Sequence, residues 1–232
     1  MLNFHPLQAL QHLFLPHHCA GCGSDIINDE QILCLHCMDQ MPLTAFHLHD
    51  NNPVEKIFLG RVPVVHAASY LYFSKDSLLQ RIVHQLKYKG NKELGLFMGR
   101  KMGEALLQSG RFNNTDVLVP MPLFAARERK RGYNQALILC QGMAEVLKLP
   151  VLPDVIRRRR SSETQTHKNR IERWLNMQDK FELQQGNTLV DKHILLVDDV
   201  ITTGATLEAC GRELLTTPGT RLSIMTMAYT VK

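Results

Sequence analysis

No stretch of the 232 residues approaches the ~18 consecutive apolar residues of a membrane-spanning helix, so no membrane span is expected. The secretory-leader pattern, a charged start followed by an apolar core and a small-residue cleavage site, is also missing. The expected location is therefore the cytoplasm. Acidic residues are scarce in one region. Between Arg111 and Lys180 lie 14 of the 27 basic residues but only 7 of the 22 acidic ones. That segment carries a local excess of seven positive charges, while the rest of the chain is near −2. Such asymmetry points to an anionic partner: pyrophosphate, a nucleotide or a nucleic acid. The hydrophobic share, 44%, suits a globular protein. The length accommodates one α/β domain plus a small appendage.

Four of the six cysteines, Cys19, Cys22, Cys34 and Cys37, form two C-x2-C knuckles separated by 11 residues. Two such knuckles can place four thiolates tetrahedrally around Zn²⁺, and a closed four-sulfur site is structural. Gly21 and Gly23 suit tight knuckle turns. Disulfides compete with this reading, but a cytoplasmic location disfavours them. His17, His18 and His36 read as surface or supporting residues beside a complete ligand set. Cys140 and Cys210 fall in helical patterns and read as buried small hydrophobes. Leu7, Leu10 and Phe14 predict a short helix at the start of the chain. A polar stretch, His47 to Pro53, marks a boundary. Two domains follow, 1–50 with the zinc site and 51–232 with the α/β fold.

Beyond the boundary, Val64–Phe73 predicts a strand, Leu78–Leu86 and Glu93–Leu107 helices, and Asp116–Val119 a strand stopped by Pro120 and Pro122. Lys87-Tyr88-Lys89-Gly90 reads as a basic turn. Alternating strands and helices argue for a mostly parallel sheet. Arg127 to Gln135 concentrates cations, a glycine, an aromatic and two amides, and reads as a flexible anion-binding loop. A helix over Gln135–Leu147 follows. The run Arg157–Arg160 reads as a solvated or nucleic-acid-contacting surface.

The segment His193 to Leu207 is the most informative. Ile194–Val197 is an apolar run typical of a strand covered on both faces. Asp198 and Asp199 follow, then the loop Thr202-Thr203-Gly204-Ala205-Thr206, then a helical pattern from Leu207. The N–H groups and dipole of a helix start attract phosphate, and Gly204 allows close backbone approach. The threonine hydroxyls add donors. The adjacent carboxylates accept hydrogen bonds from vicinal hydroxyls and can hold Mg²⁺. One end suits a phosphate and the other a diol, as a ribose 5-phosphate requires.

This string resembles the phosphoribosyl pyrophosphate (PRPP) motif of type I phosphoribosyltransferases. Thr202 stands where purine-salvage members carry an acid, so the likeness is to the orotate and amidotransferase branches. No glutaminase nucleophile follows Met1. The resemblance widens with the paired knuckles, Leu86-Lys-Tyr-Lys-Gly90, Val119-Pro-Met-Pro122, Arg131-Gly-Tyr-Asn-Gln-Ala136, and Gln165, Arg173, Asn176 and Phe181. All occur, in this order, in the ComF family of natural competence. Ser162 and Lys168 depart from that pattern, the first keeping the usual hydroxyl, the second replacing an apolar leucine. The resemblance implies an α/β fold with a type I phosphoribosyltransferase-like, mostly parallel sheet flanked by helices and a small N-terminal zinc-knuckle domain. It implies that Asp198 and Asp199 contact the ribose, with Mg²⁺, and that Thr202–Thr206 hold the 5-phosphate. Lys87, Lys89, Arg129 and Arg131 would neutralise pyrophosphate. It also implies a role with internalised single-stranded DNA, beside a helicase or recombination partner. The rival reading is a non-catalytic nucleic-acid-binding or adaptor protein on the same fold.

Overall fold

The apolar run 194–197 lies inside a four-stranded parallel sheet, its residues wholly buried. The computed structural model describes residues 17–25, 27, 28, 30–159 and 181–230. The strands are β1 (Ala67–Phe73), β2 (Val117–Pro120), β3 (Ile156–Arg158), β4 (Phe181–Leu183), β5 (His193–Ile201) and β6 (Arg221–Thr230). The sheet order is β1-β6-β5-β2, while β3 and β4 form a separate antiparallel pair. The helices are α1 (Leu35–Asp39), α2 (Pro53–Phe58), α3 (Leu78–Tyr88), α4 (Lys92–Ser109), α5 (Ala125–Arg131), α6 (Gln135–Leu147) and α7 (Ala205–Leu214). Among the described residues, no helix is long and apolar enough to cross a membrane.

Local sequence explains these elements. Leu78, Leu79, Ile82, Val83 and Leu86 recur at helical spacing and are the buried face of α3, which Ser77 caps. Pro120 ends β2 instead of stopping it a residue earlier. β2 is a sheet edge, and Met121 N–H donates to Val197 O at 2.8 Å. By strand alternation the ring nitrogen of Pro120 points away from β5, where no ladder bond is lost. Helices α4 and α6 cross at near contact. A Cβ on Gly99 would lie 2.3 Å from the Leu139 carbonyl oxygen, and one on Gly142 2.2 Å from that of Leu96. Only glycine allows that approach.

Cys19, Leu33 and Cys37 belong to the same hydrophobic cluster as the sheet and α3. Arg81 Nε donates to Gly21 O at 2.7 Å, fastening the knuckle to α3. Residues 42–44 run along the outer edge of β1: Thr44 N donates to Tyr70 O at 3.0 Å and Tyr72 N to Pro42 O at 2.8 Å. Cys140 and Cys210 are buried in α6 and α7, as expected.

Two local expectations are corrected. The basic segment is not a flexible loop from Arg127. It is helix α5, which buries none of its residues and ends at Gly132, φ 79°. Ala125, Ala126 and the long charged side chains are strong helix formers, and Gly132 supplies the left-handed cap. The hydroxyl-rich loop is also shorter than its sequence suggested. β5 continues to Ile201 and α7 begins at Ala205, so Ala205 and Thr206 are its first turn. The expected initial helix, Arg160, Ser162, Gln165, Lys168, Arg173 and Asn176 lie outside the described residues.

Candidate functional site

Near its carboxyl end β5 presents two adjacent carboxylates, and a helix starts after the three-residue connection 202–204. In open parallel sheets ligands bind at this edge. Asp198 and Asp199 do not behave alike. Asp198 Oδ1 accepts the Asp199 backbone N–H at 2.8 Å. Burial, reinforced by the neighbouring charge of Asp199, pushes the Asp198 carboxyl up from 3.8 to about 7. Asp199 Oδ2 instead pairs with Lys87 Nζ at 2.8 Å. Lys87 reaches it from the last turn of α3.

Residues 202–204 connect β5 to α7. Gly204 adopts φ 73°, a left-handed conformation costly for other residues. A Cβ there would also stand 2.5 Å from Ile57 Cγ2. Thr202, Thr203 and Thr206 are exposed, and among the described residues their hydroxyls make no internal hydrogen bond. The loop is held from behind. Arg61 Nη1 donates to Thr203 O at 2.9 Å, and Arg61 Nε to Glu208 Oε2 at 2.8 Å. Arg212 also binds Glu208 at 3.0 Å. Arg61 is a positioning residue that sequence reading missed, because its partners lie about 140 positions away.

The cleft in front of this loop is lined by Asp198, Asp199, Thr202–Thr206, Lys87, Arg127, Arg131 and Arg158. Lys87 and Arg131 were expected there. Arg129 lies on exposed α5 and does not line the cleft, and Lys89 lines a different groove, between α3 and the knuckle. Arg127 and Arg158 were not singled out for this place. Arg158 shows why. Arg157 and Arg159 are 63% and 51% exposed and both face Glu182, at 2.9 and 3.7 Å. Strand alternation turns Arg158 the other way. Its guanidinium lies 4.1 Å from the Phe124 ring centre and 5.4 Å from that of Phe181. Its Nε is buried without a hydrogen-bond partner among the described residues. Burial, then repulsion from Arg127, lowers its proton affinity. The solvated-surface reading of the arginine run is thus corrected for Arg158. A period-two reading of residues 156–158 would have found it.

The motif Arg131–Ala136 is largely architectural. Tyr133 Oη donates to the Leu86 carbonyl, fixing the end of α3 beside Lys87. Asn134 Oδ1 accepts from Ala136 N at 3.0 Å, capping α6, and its Nδ2 donates to Met121 O at 3.0 Å. Gln135 Oε1 accepts from Arg131 Nη1 at 2.6 Å.

The cysteine ligand atoms of Cys19, Cys22, Cys34 and Cys37 all lie within 4.8 Å of one another. Cys22 Sγ and Cys34 Sγ are 3.7 Å apart. Ligands at about 2.3 Å around a tetrahedral ion stand about 3.8 Å apart, whereas bonded sulfurs stand at about 2.05 Å. The four-cysteine cluster can therefore hold a metal ion. Burial opposes charge on Cys19, yet backbone N–H groups of Cys22, Cys34 and Gly21 lower its thiol to about 6. Burial and the surrounding thiols push Cys37 up. His18 and His36 are exposed, and His17 Nε2 meets Gln31 O at 2.6 Å, so none joins the cluster.

The phosphoribosyl transferase domain family matches residues 134–229. The chain is 32% identical over 140 residues to DNA utilization protein YhgH of Salmonella typhi, covering 59% of this chain and 61% of that protein. It is 27% identical over 213 residues to Competence protein F of Haemophilus influenzae, covering 89% and 90%. It is 41% identical over 99 residues to Competence protein ComFC of Bacillus subtilis, covering 43% and 38%.

Proposed function

Because the chain belongs to the ComF family, competence-related proteins with a phosphoribosyltransferase-like fold, we propose that its cleft binds PRPP. One observation carries the reading: a diol-accepting carboxylate pair, a helix start and inward cations meet at one strand end. In this reading Thr202–Thr206 and the first N–H groups of α7 take the 5-phosphate. Asp198 and Asp199 accept the ribose hydroxyls and hold Mg²⁺, which would offset charge on the diphosphate. Lys87, Arg127, Arg131 and Arg158 face the pyrophosphate. Transfer would develop positive charge on ribose C1 while these cations stabilise the departing pyrophosphate. Residues 51–232 carry this chemistry. Residues 1–50 carry the cysteine cluster, which takes a structural Zn²⁺. The protein acts in the cytoplasm, in competence, on internalised single-stranded DNA with a helicase or recombination partner. The positive excess of the middle segment supports the nucleic-acid side of this reading.

Calorimetry with PRPP and Mg²⁺ tests the site. Wild type is expected to bind, and the Asp198→Ala/Asp199→Ala variant to show no heat. Equal behaviour of the two proteins, or no binding by wild type, would sink the PRPP reading. The arginine run supplies an internal control. Arg158→Ala is expected to weaken PRPP binding by roughly 10- to 100-fold, the scale of a lost charge-assisted contact. Arg157→Ala, whose side chain faces Glu182, should leave it near wild type. The same titrations measure both, and an equal loss for the two would contradict the inward assignment of Arg158.

A further inference from the structure

Helix α3 shows its apolar face to the core and a different set of residues to solvent. Arg81, His84 and Tyr88 recur at i, i+3 and i+7 and are all exposed. The helix contains no acid. Tyr88 is 65% exposed, unusual for a large aromatic, and is framed by one polar ring and one cation. The His84 ring centre lies 5.1 Å from it and the Arg131 guanidinium 5.8 Å. Lys89 follows on the same side and, like Arg129 and Lys130 of α5, has no ion-pair partner among the described residues. Upstream, Arg81, His84 and Lys89 border a groove of ≈ 630 Å³ against the knuckle residues 19–23. Asp76 also lines that groove, Glu128 lies on α5, and Asp199 pairs with Lys87 of α3.

An exposed aromatic platform set in a line of unpaired cations matches the chemistry of an unpaired strand of nucleic acid. Bases stack on the ring, and cations follow the phosphates. Duplex hides its base faces and could use only the cations. A purely acidic peptide would have no use for the ring. We infer that the outer face of α3, from the knuckle groove to Tyr88 and the cations of α5, is a docking track for single-stranded nucleic acid, with Tyr88 stacking on a base. The inference rests on the nucleic-acid side of the function proposed above and adds its location. Arg131 lines the PRPP cleft and also stands over Tyr88, so the track ends at the rim of that cleft.

Fluorescence anisotropy with a labelled oligothymidylate of about 16 nucleotides tests it on the full chain. Wild type is expected to bind with an affinity that falls with salt, by a slope of about −0.7 per phosphate neutralised. Tyr88→Ala should weaken binding roughly 5- to 100-fold, while Tyr88→Phe, which keeps the stacking face, should stay within about threefold. Lys89→Glu should flatten the salt slope. Duplex of the same length should show no dependence on Tyr88. Tyr88→Ala binding as tightly as wild type overturns the track but leaves nucleic-acid binding standing. No binding by wild type overturns the track and the nucleic-acid reading together, while PRPP calorimetry judges the cleft independently.

Discussion

Asp198→Asn is expected to make the protein more stable and to remove the PRPP affinity proposed above. The wild-type carboxyl sits at about 7 in the folded protein against an ordinary 3.8. The sign follows from which form the fold prefers. A raised value means the folded chain favours neutral Asp198, so the contribution is fully present below about pH 4. It is lost as pH rises through about 7. Asparagine is neutral throughout and escapes this loss. The stability gained by the variant should therefore be small in acid, grow between about pH 4 and 7, and level off above. Its plateau should be on the order of 2–4 kcal/mol. Denaturant titrations at acid, neutral and alkaline pH would measure it, and a gap independent of pH would refute the account. PRPP binding by the variant should fall by about two orders of magnitude, because an amide replaces a charged acceptor. Stability and binding moving in opposite directions would mark Asp198 as a strained ligand group and not a scaffold residue.

Cys22→Ser is expected to be the most disruptive single change outside the core. Cys22 is exposed, so the substitution removes almost no packing. Its effect should come from the ion. On the proposed reading, wild type carries one equivalent of zinc, and the variant little or none. Structural zinc contributes on the order of 10 kcal/mol or more to folding of isolated knuckles. Here the consequence should extend past the knuckle, since Cys19, Leu33 and Cys37 share the cluster that includes α3. A drop in thermal midpoint of about 10 °C or more is expected. Metal analysis and a thermal melt would check it. A metal-free wild type with an unchanged melt for Cys22→Ser would reject a structural zinc.

The strand that carries Asp198 and Asp199 was legible because an apolar run has one meaning at that length, although it runs on to Ile201. The cysteine pairs were legible from spacing alone, and α6 was legible to the residue. What failed to show was whatever depended on direction or distance. The arginine run looked uniform as text. A three-residue strand divides it, and among its described residues only Arg158 faces the cleft. The charge of the basic segment hides the helix that begins just ahead of it, at Ala125 and Ala126. Tyr133 and Asn134 looked like ligand groups because nothing in the chain reveals that Leu86 O and Met121 O need donors. Arg61 was invisible for the same reason.

The pair formed by Lys87 and Asp199 makes occupancy of the cleft an exchange. Asp199 already has a counter-ion, an ammonium beside the carboxylate that on the proposed reading receives sugar hydroxyls or a metal ion. On the proposed reading, an incoming ribose phosphate would displace that ammonium and leave it searching for an anion. A ligand that brings its own diphosphate supplies one within reach of the same lysine. A ligand without it takes the carboxylate and strands the charge. An internal counter-ion can thus serve as a filter, rejecting incomplete sugar phosphates through what it is left without.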